Sequence, residues 1–217
     1  MSIHSLKQAG NNESERKKDV INACKTGYEV LLEKDAVEAV EIAIRNLEAS
    51  EYLNAGVGSY LQLDGRVRMD ASIMKDDLSA GAVIGIEDVE HPISVARRVM
   101  DTTQHVILSG PLATDFAHSE GFPMFDPRTK PKINLWMEIM DEFRQKTTYE
   151  QIFHVDKYLK EGSLNLGTVG CVAMDAAKYG VEELNSLQAP GGIICIDQEG
   201  NIGYAHNTAM MTMHYIE

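Results

Sequence analysis

The sequence predicts an α+β fold, layered as an αββα sandwich, and three observations carry that prediction. Two helical stretches open the chain, a run of short alternating segments follows, and the order of helices then strands returns in the second half. Elements that are apolar on one face must bury that face against another layer, so stacked helices and sheets are the expected solution. With 217 residues, 44% of them hydrophobic, a single domain over residues 1–217 has enough apolar side chains for a core.

The first helix is predicted over residues 14–33, where Val20, Cys24, Tyr28, Leu31 and Leu32 recur at helical spacing and Ser14 can act as the N-cap. Asp35 opens a second helix. Its Asp35-Ala-Val-Glu38 start resembles a capping box, and Val37, Val40, Ile44 and Leu47 fall on one stripe, so the two helices are expected to pack as one layer. From residue 54 to 86 the pattern is that of strands, with Asp64-Gly65 as a hairpin turn between residues 59–63 and 66–69. Ala80-Gly-Ala-Val-Ile-Gly-Ile86 is almost wholly apolar, as expected of a strand covered on both faces.

Pro92 begins a helix through Met100, residues 105–109 form a short strand, and Pro111 restarts a helix to about Glu120. Residues 121–131 carry three prolines and read as a loop. Residues 133–160 are helical in pattern, with Leu135, Trp136, Ile139, Met140 and Phe143 on one side. Strands are expected over 168–174 and 192–196, with a helix near 181–187 between them. Glu199-Gly-Asn201 then turns the chain into a last strand at 202–205.

A formal charge of −13 sets the chain against nucleic-acid partners, because phosphates attract clustered Lys and Arg. Its one basic cluster, Arg16-Lys17-Lys18, is flanked by Glu13, Glu15 and Asp19 and reads as a solvated helix face. Cys24, Cys171 and Cys195 are odd in number and lie in apolar surroundings, which points to reduced thiols. No zinc-like spacing occurs, and the seven histidines show no paired pattern. Without an apolar run suited to a signal peptide or a bilayer span, the expectation is a cytoplasmic protein with no membrane partner.

Five blocks carry a family resemblance. They are Asn54-Ala-Gly-Val-Gly-Ser59, Met69-Asp-Ala-Ser-Ile-Met74, Leu78-Ser-Ala-Gly-Ala-Val83, Pro92-Ile-Ser-Val-Ala-Arg-Arg-Val-Met100 and Leu166-Gly-Thr-Val-Gly170. In order and spacing they resemble the plant-type asparaginase / isoaspartyl peptidase family of N-terminal nucleophile hydrolases, its human-type members above all. Residues 191–201 match the last hairpin of that family. The resemblance implies an αββα sandwich that cuts itself between Gly167 and Thr168 and then hydrolyses L-asparagine or β-aspartyl dipeptides. Residues 1–167 would form the first part, with a linker over about 121–167, and residues 168–217 a shortened second part.

Thr168 is then the nucleophile. A threonine hydroxyl is weak by itself, but an adjacent α-amine with a pKa of roughly 7.7 to 8.0 can take its proton near neutral pH. That amine exists only after cleavage, and the uncut hydroxyl would first attack the carbonyl of Gly167. Taken alone, Gly167-Thr-Val-Gly170 is too short to separate a nucleophile from the start of an ordinary strand. The resemblance further implies a sodium ion held by the backbone carbonyls of Leu47, Glu48, Ser50, Leu53, Ala55 and Val57, with Asn54 turned toward the threonine. Read from the residues alone, this segment is equally a glycine-rich turn joining helix to strand. No other cofactor is expected. Asp70, inside an apolar block, is either a structural hydrogen-bond acceptor or an acid catalyst.

The sequence also departs from the family. The Thr-Ser-Thr-Gly-Gly, Gly-Arg-x-Gly-Asp-Ser-Pro and Thr-Gly-x-Gly-Glu segments have no counterpart, and neither does the first strand with its His-Gly-Gly. Those segments supply the family's substrate grip and oxyanion hole, and loss of one oxyanion donor typically costs ~3 kcal/mol. The substrate-binding residues of this chain are therefore unassigned. The alternative to an active hydrolase is a truncated, inactive relative. The partners expected are a small-molecule or dipeptide substrate together with a homo-oligomer or a full-length homologue, since missing strands leave edges and apolar faces uncovered.

Overall fold

The structure is a computed structural model and describes residues 13–145, 192–196 and 202–206. Its elements run α1 (Glu13–Glu33), α2 (Ala36–Glu48), a 3-10 turn (Gly56–Gly58), β1 (Met69–Met74), β2 (Ala80–Ile86) and α3 (Pro92–Thr102). They continue through β3 (Ile107–Ser109), α4 (Pro111–Ser119), α5 (Lys130–Gln145), β4 (Gly192–Ile196) and β5 (Ile202–His206). The mixture of helix and sheet is the α+β class that the sequence predicts.

Asp35 separates the first two helices by the expected mechanism, its carboxylate accepting from the Glu38 N–H at 2.8 Å. Along α2 the stripe holds: Ile44 and Leu47 are buried, and Val37 and Val40 pack against them. Helix α1 differs from expectation. It begins at Glu13, which places Ser14 inside it, and Tyr28, Leu31 and Leu32 stay 41%, 48% and 69% exposed. Its buried face is instead made by Ala23 and Gly27. A Cβ on Gly27 would stand 3.0 Å from that of Ala43 on α2, so backbone proximity selects the small residues.

The predicted hairpin at Asp64-Gly65 is a turn without strands. Gly65 N donates to Gln62 O at 2.9 Å and Gln62 N to Arg66 O at 2.8 Å, but the flanks build no ladder. Their alternating polar residues serve ion pairs: Arg66 and Arg68 reach Glu87 at 3.0 and 2.8 Å, and Arg68 reaches Asp64 at 2.8 Å. The hairpin of the sheet is β1 with β2, antiparallel, turning through residues 75–79 with Leu78 at φ 68°.

Asp70 proves structural. Between the pairs Met69↔Ile86 and Ala71↔Val83 the register slips, leaving Ile84 and Gly85 opposite one residue. Gly85 takes φ 63°, and its N–H donates to the Asp70 carboxylate at 2.7 Å. A bulge that frees a backbone donor is thereby satisfied by the residue across from it.

Strand β3 joins β2 in parallel after the crossover through α3. Val95, Ala96 and Val99 of α3 are fully buried, each Val side chain contributing roughly 1.5 to 3 kcal/mol by burial. Beneath them a Cβ on Gly81 would meet Ala96 O at 2.1 Å, so helix and strand backbones touch directly. Ala113 and Ala117 of α4 complete this layer. The opposite face of the sheet departs from the both-faces expectation for β2. Val83 and Ile86 are sealed, yet Ile84 is 49% and Ile107 53% exposed.

Strands β4 and β5 pair antiparallel from Gly192↔His206 to Ile196↔Ile202, as the sequence predicts. The strand at 168–174, the helix at 181–187 and the part of 133–160 beyond residue 145 lie outside the described residues.

Candidate functional site

The segment with the densest local chemistry is the loop that leaves α2. Ala49 N donates to the carbonyls of Arg45 and Leu47, and Ser50 N to Leu47 O at 3.2 Å, which closes the helix. Helix α1 then pins the loop from the side. Ser50 Oγ donates to Asp19 at 2.5 Å and accepts from Tyr52 N at 3.2 Å, while Arg16 Nε donates to Tyr52 O at 3.0 Å. Arg16 is therefore an anchor of this loop, in contrast to the solvated face expected of its cluster.

Farther on, Gly58 N donates to Ala55 O at 3.0 Å and Ser59 N to Gly56 O at 3.2 Å, forming the 3-10 turn. The side-chain oxygen of Asn54 accepts from Tyr60 N at 3.1 Å and ties both ends of the turn together. Gly56 sits at φ 52°, and a Cβ there would lie 2.1 Å from Glu48 O. At Gly58 a Cβ would lie 1.8 Å from Leu53 O and 2.5 Å from Ser50 O. Three carbonyls thus crowd onto two glycines in a space that any side chain would fill.

The structure brings Leu47, Glu48, Ser50, Leu53, Asn54, Ala55 and Val57 into this one loop. Neutral carbonyl oxygens are the ligand type of a hard cation. Of those named, Glu48 O, Ser50 O and Leu53 O pack against the two glycines, while Leu47 O and Ala55 O accept from Ser50 N and Gly58 N. Gly167 and Thr168 lie outside the described residues.

Sequence reasoning missed two residues near the loop. The first concerns the Glu48 side chain, which is 3% exposed and reaches across the core to accept from Ile93 N at 3.0 Å, at the start of α3. His91 Nδ1 faces its other oxygen at 3.3 Å. Burial pushes the Glu48 carboxyl above the usual carboxylate range, with His91 and the Ile93 N–H pulling it back. A faint signal exists in the sequence: α3 opens with His91-Pro92 and none of the usual N-cap residues, so its first N–H groups needed an acceptor from elsewhere.

The second is Lys132 on α5. Its ammonium stands 3.4 Å above the Tyr60 ring, and burial lowers its pKa to about 8, with Arg16 adding repulsion. Next to it the Trp136 ring covers Gly65, so α5 lies over the end of the loop. A separate open groove of about 470 Å³ runs between α2 and α3, lined by Glu41, Arg45, His91, Arg97 and Asp101 among others. Arg97 is already engaged there, with Glu41 at 2.9 Å and Asp101 at 3.2 Å. No helix among the described residues is long and apolar enough to cross a membrane.

An α+β chain whose second helix ends in a loop with carbonyls packed against two glycines is what the structure presents. Over residues 2–179 the sequence matches the family described as asparaginase, and the chain belongs to that family. It is 40% identical over 186 residues to the plant-type L-asparaginase of Pyrococcus furiosus, a match covering 85% of this chain and 59% of that protein. It is 38% identical over 201 residues to the isoaspartyl peptidase/L-asparaginase of Bos taurus, covering 87% and 60%. The Homo sapiens protein of the same name is 38% identical over 164 residues, covering 72% and 48%. The chain thus spans between 48% and 60% of the length of these relatives.

Proposed function

We propose that this chain is a threonine-nucleophile amidohydrolase that cuts itself between Gly167 and Thr168 and hydrolyses L-asparagine or β-aspartyl peptides. The observation that carries the reading is the family match, which runs through both residues of the cleavage point. In the first step Thr168 Oγ attacks the carbonyl carbon of Gly167. The peptide C–N bond breaks as the acyl group moves to oxygen, the nitrogen keeps its electron pair and gains a proton, and water then releases the ester. The freed α-amine of Thr168 next accepts the hydroxyl proton while Oγ attacks the substrate's side-chain amide. Ammonia or an amino acid departs, and a second water regenerates the threonine.

The glycine-lined loop supports this chemistry at a distance. A bound sodium ion would supply a fixed positive centre among the carbonyls of Leu47, Glu48, Ser50, Leu53, Ala55 and Val57. Asn54, carried by the same loop, takes the place nearest the nucleophile. The sheet face bearing Ile84 and Ile107 is proposed as the surface on which a second sheet packs, completing an αββα sandwich over one domain divided at residues 167 and 168. The odd number of cysteines and their apolar surroundings support a cytosolic setting.

Intact mass and ammonia release from asparagine test the reading together. The expected result is loss of the 24.0 kDa species in wild type, with a fragment beginning with threonine and ammonia release that both disappear in Thr168→Ala. A wild-type chain that stays whole and releases no ammonia overturns it.

A further inference from the structure

We infer that the Glu48 carboxylate is the positioning group of the glycine-lined loop, holding its first residue to the N-terminus of α3 and thereby setting where Gly56, Gly58 and Asn54 stand. Glu48 works through two ends. Its carboxylate accepts from Ile93 N at 3.0 Å and faces His91 Nδ1 at 3.3 Å, 45 and 43 residues along the chain. Its backbone carbonyl and its Cβ lie 2.1 and 2.7 Å from the space beside Gly56, so any shift of Glu48 is passed to the turn.

Helix α3 suits the role of reference because Val95, Ala96 and Val99 are fully buried and its backbone rests directly on Gly81. It lacks a side-chain cap of its own, since His91 makes no capping hydrogen bond, and Glu48 takes that place. The half-buried His91 ring stands beside the other carboxylate oxygen without a hydrogen bond to it, with 16% of its side chain exposed and Glu90 3.9 Å from its far nitrogen. A carboxylate taken from water to this depth and still hydrogen-bonded to a backbone 45 residues away is a costly arrangement unless it holds something in place.

This inference rests on the proposed function only in assigning the loop to the reaction, and its test uses neither substrate nor sodium. Amide exchange at Gly58, Ser59 and Tyr60 is followed in the full chain for wild type, Glu48→Ala, Glu48→Gln and Val95→Ala. Glu48→Ala is expected to exchange at these amides about tenfold faster, whereas Glu48→Gln, which keeps an acceptor at the same reach, stays near wild type. Val95→Ala lowers the global stability but is expected to leave exchange at these loop amides near wild type. Wild-type exchange in Glu48→Ala, or equal opening of the loop in Val95→Ala at matched stability, overturns the inference. Should Glu48→Ala not fold, Glu48→Asp replaces it. Its shorter carboxylate is expected to open the loop where Glu48→Gln does not, and the reverse order counts against the assignment. Ammonia release is read separately, so a chain without activity but with this exchange pattern overturns the function and leaves the positioning role standing.

Discussion

Gly58 has no room for a side chain, and that fact alone makes the loop testable. A methyl group there must push Leu53 O or Ser50 O aside, so Gly58→Ala is expected to cost about 1 to 3 kcal/mol in urea unfolding. The same substitution is expected to remove any rise in melting temperature that sodium chloride gives over choline chloride at equal ionic strength. A wild type with no such rise counts against the ion, and a Gly58→Ala chain that keeps it counts against this loop as its holder. Asp70→Ala is expected to cost roughly 1 kcal/mol, because it strips the acceptor from the bulged Gly85 N–H without touching any catalytic group. At this scale Asp70 was legible, since an acid inside an apolar strand block must find a donor. The Glu48 side chain was not legible, because its donor stands 45 residues away.

Among the elements, α5 carries the clearest pH signature. Lys132 in the folded chain releases its proton at about 8, below the value near 10.4 of an unfolded lysine. The folded state therefore binds fewer protons between these limits. The contribution of Lys132 is fully present above the unfolded value and is lost as pH falls through about 8, so stability should rise with pH across this window. Because the residue remains partly exposed, solvent keeps the effect small. Urea midpoints from pH 7.5 to 10.5 should show a slope in wild type that Lys132→Met reduces. An unchanged slope would mean that the burial of Lys132 is not kept in solution. The helix itself was readable from its periodicity, but its seat over Tyr60 and Gly65 was not. Helix α1 shows the opposite error: large apolar residues marked a stripe, yet the small face of Ala23 and Gly27 won because it let the backbones approach.

For the whole molecule the open sheet face is the decisive surface. Ile84 and Ile107 project from the side of β2 and β3 away from α3. If a second sheet completes an αββα sandwich there, Ile84→Asp buries a carboxylate against apolar neighbours and should destabilise the chain by roughly 2 kcal/mol or more. A change within about 0.5 kcal/mol would place that face in water and remove the sandwich from the proposal.

What the sequence determined by itself was ancestry and local structure: the five blocks that fix the family, the capped start of α2, the prolines that open α3 and α4, and the β4–β5 hairpin. Each is set by residues within a turn or two of one another. Tertiary structure alone decided that Arg16 anchors the loop, that Glu48 caps α3, that Lys132 lies over Tyr60 and that one face of β2 is sealed while the other is open. Those outcomes depend on which distant backbones come close enough to exclude water, and no spacing along the chain encodes that distance.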